Sequence, residues 1–246
     1  MRSSAHRVVG IIGGMGPEAT VELMRRVIAA TPADDDQDHI HLIVESNPKI
    51  PSRIAHLVDG SGADPKPELL RIARNLKAAG ADALAMPCNT AHCYAAAIEE
   101  AACIPLLDMV ELTADRLAAL RPNTRVGLLA STAVHRTGLY ERALQRIGAA
   151  SVLPRRQEEL MELIKDIKRG KCGPLSGATL SSIACELAAR SDILLIACTE
   201  LSVLPTPDVG AVRIIDSLDV LTQAIVDFGK MGDRLPYSMK PVGGTK

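Results

Sequence analysis

The chain has 246 residues, which is enough for one large domain or two smaller ones around a substantial buried core. Hydrophobic residues make up 47% and charged residues 23%, as in ordinary globular proteins, and the formal net charge of −1 gives no electrostatic reason to expect a nucleic acid or an anionic membrane as a partner. Aromatic residues make up only 2%, which leaves little material for stacking on bases and argues further against RNA or single-stranded DNA.

The apolar and cysteine patterns bear on location and on metal binding. No apolar run approaches the roughly 18 residues of a membrane-spanning helix, and the start of the chain has no long apolar stretch of the kind found in signal peptides. A cytoplasmic location is therefore expected, with the six cysteines as reduced thiols. Because no Cys-x-x-Cys pair and no Cys/His cluster has the spacing of a zinc site, no metal is expected.

Taken in chain order, apolar runs bounded by turn residues alternate with helix-like segments. Strands are predicted at 8–12, 41–46, the run that ends at Cys88, 104–107, 125–130, 192–197 and 212–216. Helices are predicted at 18–31, 65–79, the segment after Cys88 to about 100, 109–120, 137–147, 156–169, 174–190 and a closing segment through about 229. The proline-containing stretch 47–53 is predicted as a loop, the Ser/Thr-rich stretch after 130 as a turn, and 231–246 as an extended surface segment.

Strands that alternate with helices are typical of a parallel, doubly wound α/β architecture. Two units of about four strands fit the length better than one continuous sheet. We therefore predict two similar doubly wound domains, each with a mostly parallel four-stranded sheet, and an active site in the cleft between them. Residues 1–110 and 211–246 are assigned to the first domain, and residues 111–210 to the second.

Two cysteines lie in matching surroundings in the two halves. Cys88 ends the stretch GADALAMPC and Cys198 ends the stretch SDILLIAC, each with an aspartate, a short apolar run and a threonine within two residues after the cysteine. Such runs predict strands buried on both faces, so each thiol is expected at the carboxyl end of a parallel strand, where open α/β sheets build their sites. Nearby helix N-termini are expected to lower the pKa of these thiols. A cysteine is often only a small buried hydrophobe, and that interpretation or a surface position suits the other four, Cys93, Cys103, Cys172 and Cys185.

Residues 14–19 satisfy the G-x-G-x-x-A form of the dinucleotide-binding fingerprint. The acidic residue that should end the second strand is misplaced, because Asp34 and Asp35 lie in a loop and Glu45 comes too late. A tight strand-to-helix turn is a second interpretation. We favour a third, in which glycine N–H groups and a helix N-terminus face a substrate carboxylate.

Two cations are candidates for binding such a carboxylate. Arg53 lies in the stiffened loop, and its guanidinium is a natural carboxylate partner, although a solvated surface charge is the ordinary alternative. Lys168 ends a predicted helix, where the helix dipole alone could explain it. Four histidines are interpreted as structural or exposed rather than catalytic: His39, His41, His92 and His135.

Five ordered motifs carry a resemblance to a known family. They are GGMGPEAT at Gly13–Thr20, DQDH at Asp36–His39, Asn47-Pro48 with Pro51–Arg53, PCNTAH at Pro87–His92 and ACTEL at Ala197–Leu201. From about Val8 to Phe228 the chain resembles the aspartate/glutamate racemase family, and more closely its aspartate racemase branch, which needs no pyridoxal phosphate. The resemblance implies two similar α/β domains, a cysteine from each on either side of the substrate, no cofactor and a homodimer.

Carried over residue by residue, the resemblance makes Cys88 and Cys198 the acid/base pair. It assigns substrate binding to nine residues: Met15, Pro51, Ser52, Arg53, Asn89, Thr90, Lys168, Thr199 and Glu200. Asn89, Thr90 and Thr199 would hydrogen-bond the α-substituents, and Arg53 and Lys168 would receive carboxylates. The family's loop often reads Pro-Asp-Arg where Ser52 stands here, so the preferred substrate side chain is left open. Glutamate racemases have histidine at the place of Glu200 and an acidic residue at Gly14-Met15, and both differences argue against a glutamate racemase proper.

The expected activity is interconversion of L- and D-aspartate, with glutamate as second choice, by one thiolate that abstracts the α-proton and one thiol that donates. A small amino acid is then the partner. The alternatives are a broad-specificity amino-acid racemase, the related chemistry of maleate isomerases, hydantoin racemases or arylmalonate decarboxylases, and a non-catalytic sensor of acidic amino acids.

Overall fold

The structure, a computed structural model, describes residues 7–118 and 123–230. The segment predicted to be extended, 231–246, and the last two residues of the helix predicted at 109–120 lie outside the described residues. Within the described ranges, no helix combines the length and the apolar character needed to cross a bilayer.

The first half of the chain builds a four-stranded parallel sheet. Its strands are β1 (Val9–Gly13), β2 (Leu42–Ser46), β3 (Ala83–Ala85) and β4 (Leu106–Leu107), in the order β2-β1-β3-β4. The helices of this half are α1 (Pro17–Ala30), α2 (Arg53–Leu57), α3 (Lys66–Ala78) and α4 (Ala95–Ala102), with a 3₁₀ helix at Asn89–Tyr94. Every residue of β1 and β3 is buried, as expected for central strands covered on both faces.

The second half repeats this plan. Helix α5 (Met109–Leu117) precedes β5 (Arg125–Ala130), β6 (Ala150–Val152), β7 (Ile193–Ala197) and β8 (Arg213–Asp216), which form a parallel sheet in the order β6-β5-β7-β8. Its remaining helices are α6 (Thr132–Thr137), α7 (Leu139–Arg146), α8 (Gln157–Lys168), α9 (Pro174–Ala188) and α10 (Ser217–Lys230). The two sheets therefore share one strand order, in which β3 and β7 are equivalent, and the predicted fold class is confirmed.

The last described helix packs on the core of the first sheet. Strand β8 pairs with β7, so residues 213–216 lie in the second sheet rather than with the first unit, where the predicted boundary at 211 would put them. Helix α10, which follows at once, packs its apolar side chains against the same core as β1, including Leu221 and Ile225. The division into two domains itself stays a prediction.

Two α-helices and one strand were not expected from the sequence. Helix α2 occupies part of the predicted loop because the Ser52 side chain caps it, accepting from the Ala55 N–H. Ser131 caps α6 in the same way, within the predicted turn. Strand β6 is a three-residue edge strand, too short to give a period-two pattern.

Candidate active site

A small cavity lies between the carboxyl ends of the two sheets. Its volume is about 30 Å³, room for no more than a few water molecules. Ten of the predicted site residues line it: Met15, Ser52, Arg53, Cys88, Asn89, Thr90, Lys168, Cys198, Thr199 and Glu200. Four further lining residues were not predicted from the sequence: Ile54, Ser131, Ile164 and Ala197. Pro51 is not among the lining residues, and its carbonyl accepts a hydrogen bond from Arg53 instead.

The two strand-end cysteines line this one cavity from opposite halves of the chain. Cys88 follows β3 after two residues, and Cys198 follows β7 directly. Both are free thiols and almost fully buried, with 7% and 6% of their surface exposed. The other four cysteines are free and exposed, so the surface interpretation holds for them.

The surroundings of Cys198 are acidic. Its Sγ donates to Glu200 Oε2 at 3.1 Å, and Glu200 Oε1 lies 3.1 Å from the Nζ of Lys168. Burial and then the charge of Glu200 raise the pKa of Cys198 well above its ordinary value, while Lys168 opposes the shift. The expectation of a lowered pKa is therefore wrong for Cys198, because burial and a neighbouring carboxylate outweigh the three-residue 3₁₀ helix at Leu201–Val203.

Lys168 ends α8 and reaches the cavity with its ammonium group, although 36% of its side chain stays exposed. Burial lowers its pKa, but Glu200 and the two cysteines raise it more, so the net shift is upward and the group stays cationic. Lys168 and Glu200 therefore line the cavity as an ion pair.

Asn89 is held by two groups from beyond the first sheet. The Tyr140 hydroxyl donates to Asn89 Oδ1 at 2.6 Å, and Asn89 Nδ2 donates to Ser217 Oγ at 3.1 Å. Tyr140 is fully buried on α7. Its role was missed because a lone tyrosine in an amphipathic helix gives no sign of a partner 51 residues away. The amide next to Cys88 is therefore fixed in one orientation.

Two hydroxyl groups join the halves at the cavity wall. Thr199 Oγ1 donates to the carbonyl oxygen of Pro87 at 3.0 Å, which links the residue after one cysteine to the residue before the other. Thr90 Oγ1 lies 3.4 Å from Ser131 Oγ. These contacts fix the position of one strand end relative to the other.

Arg53 begins α2 rather than lying in a loop. Its guanidinium donates to the carbonyls of Ile50 (3.3 Å), Pro51 (2.9 Å) and Met15 (3.3 Å). These bonds use three of the five N–H groups of an arginine and hold the side chain at the cavity wall.

The glycine turn after β1 is used for packing. The Gly14 N–H donates to Thr20 Oγ1 at 2.9 Å, so it is not open to an anion as the carboxylate-cradle interpretation needs. Gly14 has φ +90°, and a Cβ there would lie 2.4 Å from the backbone of Asn47. For Gly14, the tight-turn interpretation is the better one.

His92 supports the loop of Cys88. The Met109 N–H donates to His92 Nε2 at 3.1 Å, so Nδ1 carries the proton and donates to the Cys88 carbonyl at 2.9 Å. A ring held at both nitrogens in this way is structural, as predicted for this residue.

Comparison with known families settles the relationship. The family model described as Asp/Glu/Hydantoin racemase matches residues 12–225, most of the chain. The chain belongs to the Asp/Glu/Hydantoin racemase family. It is therefore a racemase-type isomerase.

Individual proteins similar to this chain include racemases of different specificity. A broad-specificity amino-acid racemase, RacX of Bacillus subtilis (strain 168), is 27% identical over 224 residues, which cover 89% of this chain and 96% of that protein. The aspartate racemase structure from Picrophilus torridus superposes with a TM-score of 0.79 at 29% identity, covering 90% of this chain and 94% of that one. A Francisella tularensis glutamate racemase, solved with D-glutamate, shares the fold at 17% identity with a TM-score of 0.61, over 91% and 81% of the two chains.

Proposed function

We propose that this racemase interconverts L- and D-aspartate without a cofactor, with Cys88 and Cys198 acting on opposite faces of the substrate α-carbon. The observation that carries the proposal is that both thiols, from equivalent strand ends, line one cavity between the sheets. A single base cannot easily reach both faces of one carbon. Two buried sulfurs, one from each half, supply an acceptor for the departing proton and a donor for the arriving one.

In each turnover one cysteine starts as thiolate and the other as thiol. The thiolate takes the α-proton, the pair of electrons stays on the α-carbon, and the opposite thiol gives that carbon a new proton from the other face. The thiolate and the thiol have then exchanged roles, and return of the protons to the starting arrangement through solvent completes the cycle.

The developing carbanion needs electrostatic stabilisation, because no electron-sink cofactor takes part in this scheme. The groups that supply it are the ammonium of Lys168, the guanidinium of Arg53, and the hydroxyls of Thr90, Thr199 and Ser131, all of which line the cavity. In a cavity that excludes water these charges and dipoles act more strongly than in solution.

A cavity of about 30 Å³ is too small for an amino acid, since ligand sites are typically several hundred Å³. The two halves must move apart to admit the substrate and close over it. The hydroxyl contacts of Thr199 with Pro87 and of Thr90 with Ser131 are the bonds that opening must break.

The choice of aspartate follows from the two cations, Arg53 and Lys168, at the cavity. A second candidate, a broad-specificity racemase, is favoured by the Lys168–Glu200 pair, which already neutralises one of these cations. The similarity to RacX agrees with this candidate.

Chiral chromatography with L-aspartate, L-glutamate and several neutral amino acids, with no cofactor added, separates these candidates. We expect D-aspartate to form fastest. Fastest conversion of a neutral amino acid would favour the broad-specificity candidate, and tight binding of aspartate without any conversion would favour the sensor. Conversion of maleate, a hydantoin or an arylmalonate, with free amino acids untouched, would favour the related enzymes of the superfamily.

Cys88→Ala and Cys198→Ala are each expected to abolish racemisation without loss of the fold, whereas Cys172→Ala, at an exposed position, serves as the matched control. If Cys198→Ala racemises aspartate at the normal rate, the two-thiol mechanism is wrong. The homodimer and the cytoplasmic location remain predictions, and sedimentation velocity tests the first.

A further inference from the structure

Glu200 is the one acidic side chain among the described residues that line the cavity. It is 6% exposed and contacts two other lining groups, Cys198 through Oε2 and Lys168 through Oε1, both at 3.1 Å. A carboxylate that accepts from a sulfur at this distance requires the proton to be on the sulfur. A thiolate there would face a like charge across the same gap.

We propose that Glu200 is a positioning residue that keeps Cys198 as the protonated thiol, so that the resting enzyme carries its catalytic thiolate on Cys88. This inference rests on the proposed two-thiol function. Glu200 Oε1 pairs with the Lys168 ammonium group at 3.1 Å while Oε2 accepts from the sulfur, so one carboxylate joins the cation to the thiol.

The groups that face Cys198 come from four parts of the chain. Glu200, on the same loop, contacts the sulfur, and Lys168 from α8 pairs with Glu200; Arg53 from α2 and Cys88 after β3 line the same cavity. The carbonyl of Cys88 is bonded to neutral His92, and no carboxylate lines the cavity on its side among the described residues. The two thiols therefore differ in charge environment although their strands are equivalent.

This asymmetry has a kinetic consequence. The resting form of the enzyme reacts with the enantiomer whose α-hydrogen faces Cys88. The other enantiomer reacts only with the form of the enzyme that carries a thiolate on Cys198. Because two enantiomers have equal free energies, kcat/KM must be the same in both directions. The asymmetry therefore appears as a difference in kcat between the two directions, with KM differing by the same factor.

The test is the pH dependence of alkylation of each cysteine by iodoacetamide, followed by peptide mass spectrometry, in the wild type, Glu200→Gln and Glu200→Asp. Without the carboxylate charge, Lys168 favours the thiolate, so the midpoint for Cys198 falls by about one pH unit or more in Glu200→Gln, which makes alkylation below the midpoint about tenfold faster. Glu200→Asp keeps the charge, and its midpoint stays near that of the wild type. Exposed Cys172 is the internal control, since its midpoint stays fixed in all three proteins.

A midpoint for Cys198 that is unchanged or raised in Glu200→Gln, with Glu200→Asp behaving alike, would overturn the inference. Alkylation needs no substrate, so its result is independent of whether the wild type racemises aspartate. The pH profile of kcat/KM gives a second readout: its alkaline limb, where Cys198 loses its proton, should move to lower pH in Glu200→Gln and return in Glu200→Asp. If the wild type has no racemase activity, the proposed function is refuted. If the wild type is active but replacement of Glu200 leaves the Cys198 midpoint unchanged, only this inference is refuted.

Discussion

Replacement of Arg26 by methionine tests how the two halves of the chain are joined. The Arg26 guanidinium, on α1 of the first half, donates to Asp216 Oδ2 at 2.7 Å, to Asp219 Oδ1 at 2.7 Å, to Glu22 on its own helix, and to the Ser202 carbonyl. Ser202 lies four residues after Cys198 in the second half, and Asp216 ends β8. One side chain thus connects helix α1 to the second sheet and to the loop beyond Cys198.

The size of the expected stability loss follows from the burial of Asp216. Its side chain is 7% exposed, and burial raises its pKa above the ordinary value even though Arg26 opposes the shift. In Arg26→Met, Oδ1 keeps its bonds from Ser202 Oγ and the Leu218 N–H, but Oδ2 loses its cation. Breaking a buried pair by removing one partner costs about 3–5 kcal/mol, so we expect a loss of about 3 kcal/mol in the free energy of unfolding at pH 8.

The loss should depend on pH with a definite sign. A carboxyl whose pKa is raised in the folded state binds its proton more tightly there, so it costs stability as pH rises from the unfolded pKa to the folded one. Arg26→Met raises the folded pKa of Asp216 further. The destabilisation relative to the wild type should therefore be smaller at pH 5 than at pH 8, and Arg26→Met combined with Asp216→Asn should recover part of it.

Urea denaturation followed by circular dichroism measures these differences. Arg25→Met is the matched control, because Arg25 pairs with Glu22 on the same helix with 66% of its side chain exposed, and it should leave the unfolding free energy almost unchanged. If Arg26→Met is no more destabilising than Arg25→Met, or if its effect shrinks as pH rises, the buried pair does not hold the halves together as argued.

Three further predictions concern the site. Tyr140→Phe leaves Asn89 Oδ1 buried without its donor and should cost about 1–3 kcal/mol in urea denaturation together with a fall in kcat/KM, whereas a change below about 0.5 kcal/mol would show that the bond is dispensable. Gly14→Ala places a Cβ against the Asn47 backbone and should lower the free energy of unfolding by more than about 2 kcal/mol. Gly148→Ala is the control, because φ is also positive there but nothing lies within 4 Å, and its loss should be clearly smaller. Equal melting temperatures for the two variants would refute the packing argument. Because the pKa of Cys198 is raised and activity needs its proton, kcat/KM should persist above the ordinary thiol pKa of about 8.5 and fall only at more alkaline pH, so a decline centred below that value contradicts the assignment.

The parts of the fold set by local pattern were predictable from the sequence. The apolar runs before Cys88 and Cys198 gave two buried strands, so the position of each thiol at the carboxyl end of its own parallel sheet followed. Helix α2 was not predicted because the prolines before it suggested a loop. The hydroxyl of Ser52 caps the first turn, and the helix begins there.

The electrostatics of the site were less predictable, because they depend on residues far apart in the chain. Lys168 and Glu200 are separated by 32 positions and meet only through packing of α8 on the second sheet, so the dipole rule and the family motif gave no hint of their pairing. The pKa of Cys198 was predicted with the wrong direction for the same reason. Tyr140 and Ser131 reach the site across the junction of the two halves, where sequence spacing carries no information.

Racemisation of L-aspartate in deuterium oxide distinguishes two opposed thiols that exchange protons with one α-carbon from a single base that serves both faces. In the first percent of conversion, we expect D-aspartate that carries deuterium at the α-carbon and recovered L-aspartate that carries none, because the new proton comes from the second, solvent-exchanged thiol. D-aspartate that retains the original protium, or deuterium appearing equally in recovered L-aspartate, would show that one group serves both faces and would contradict the account.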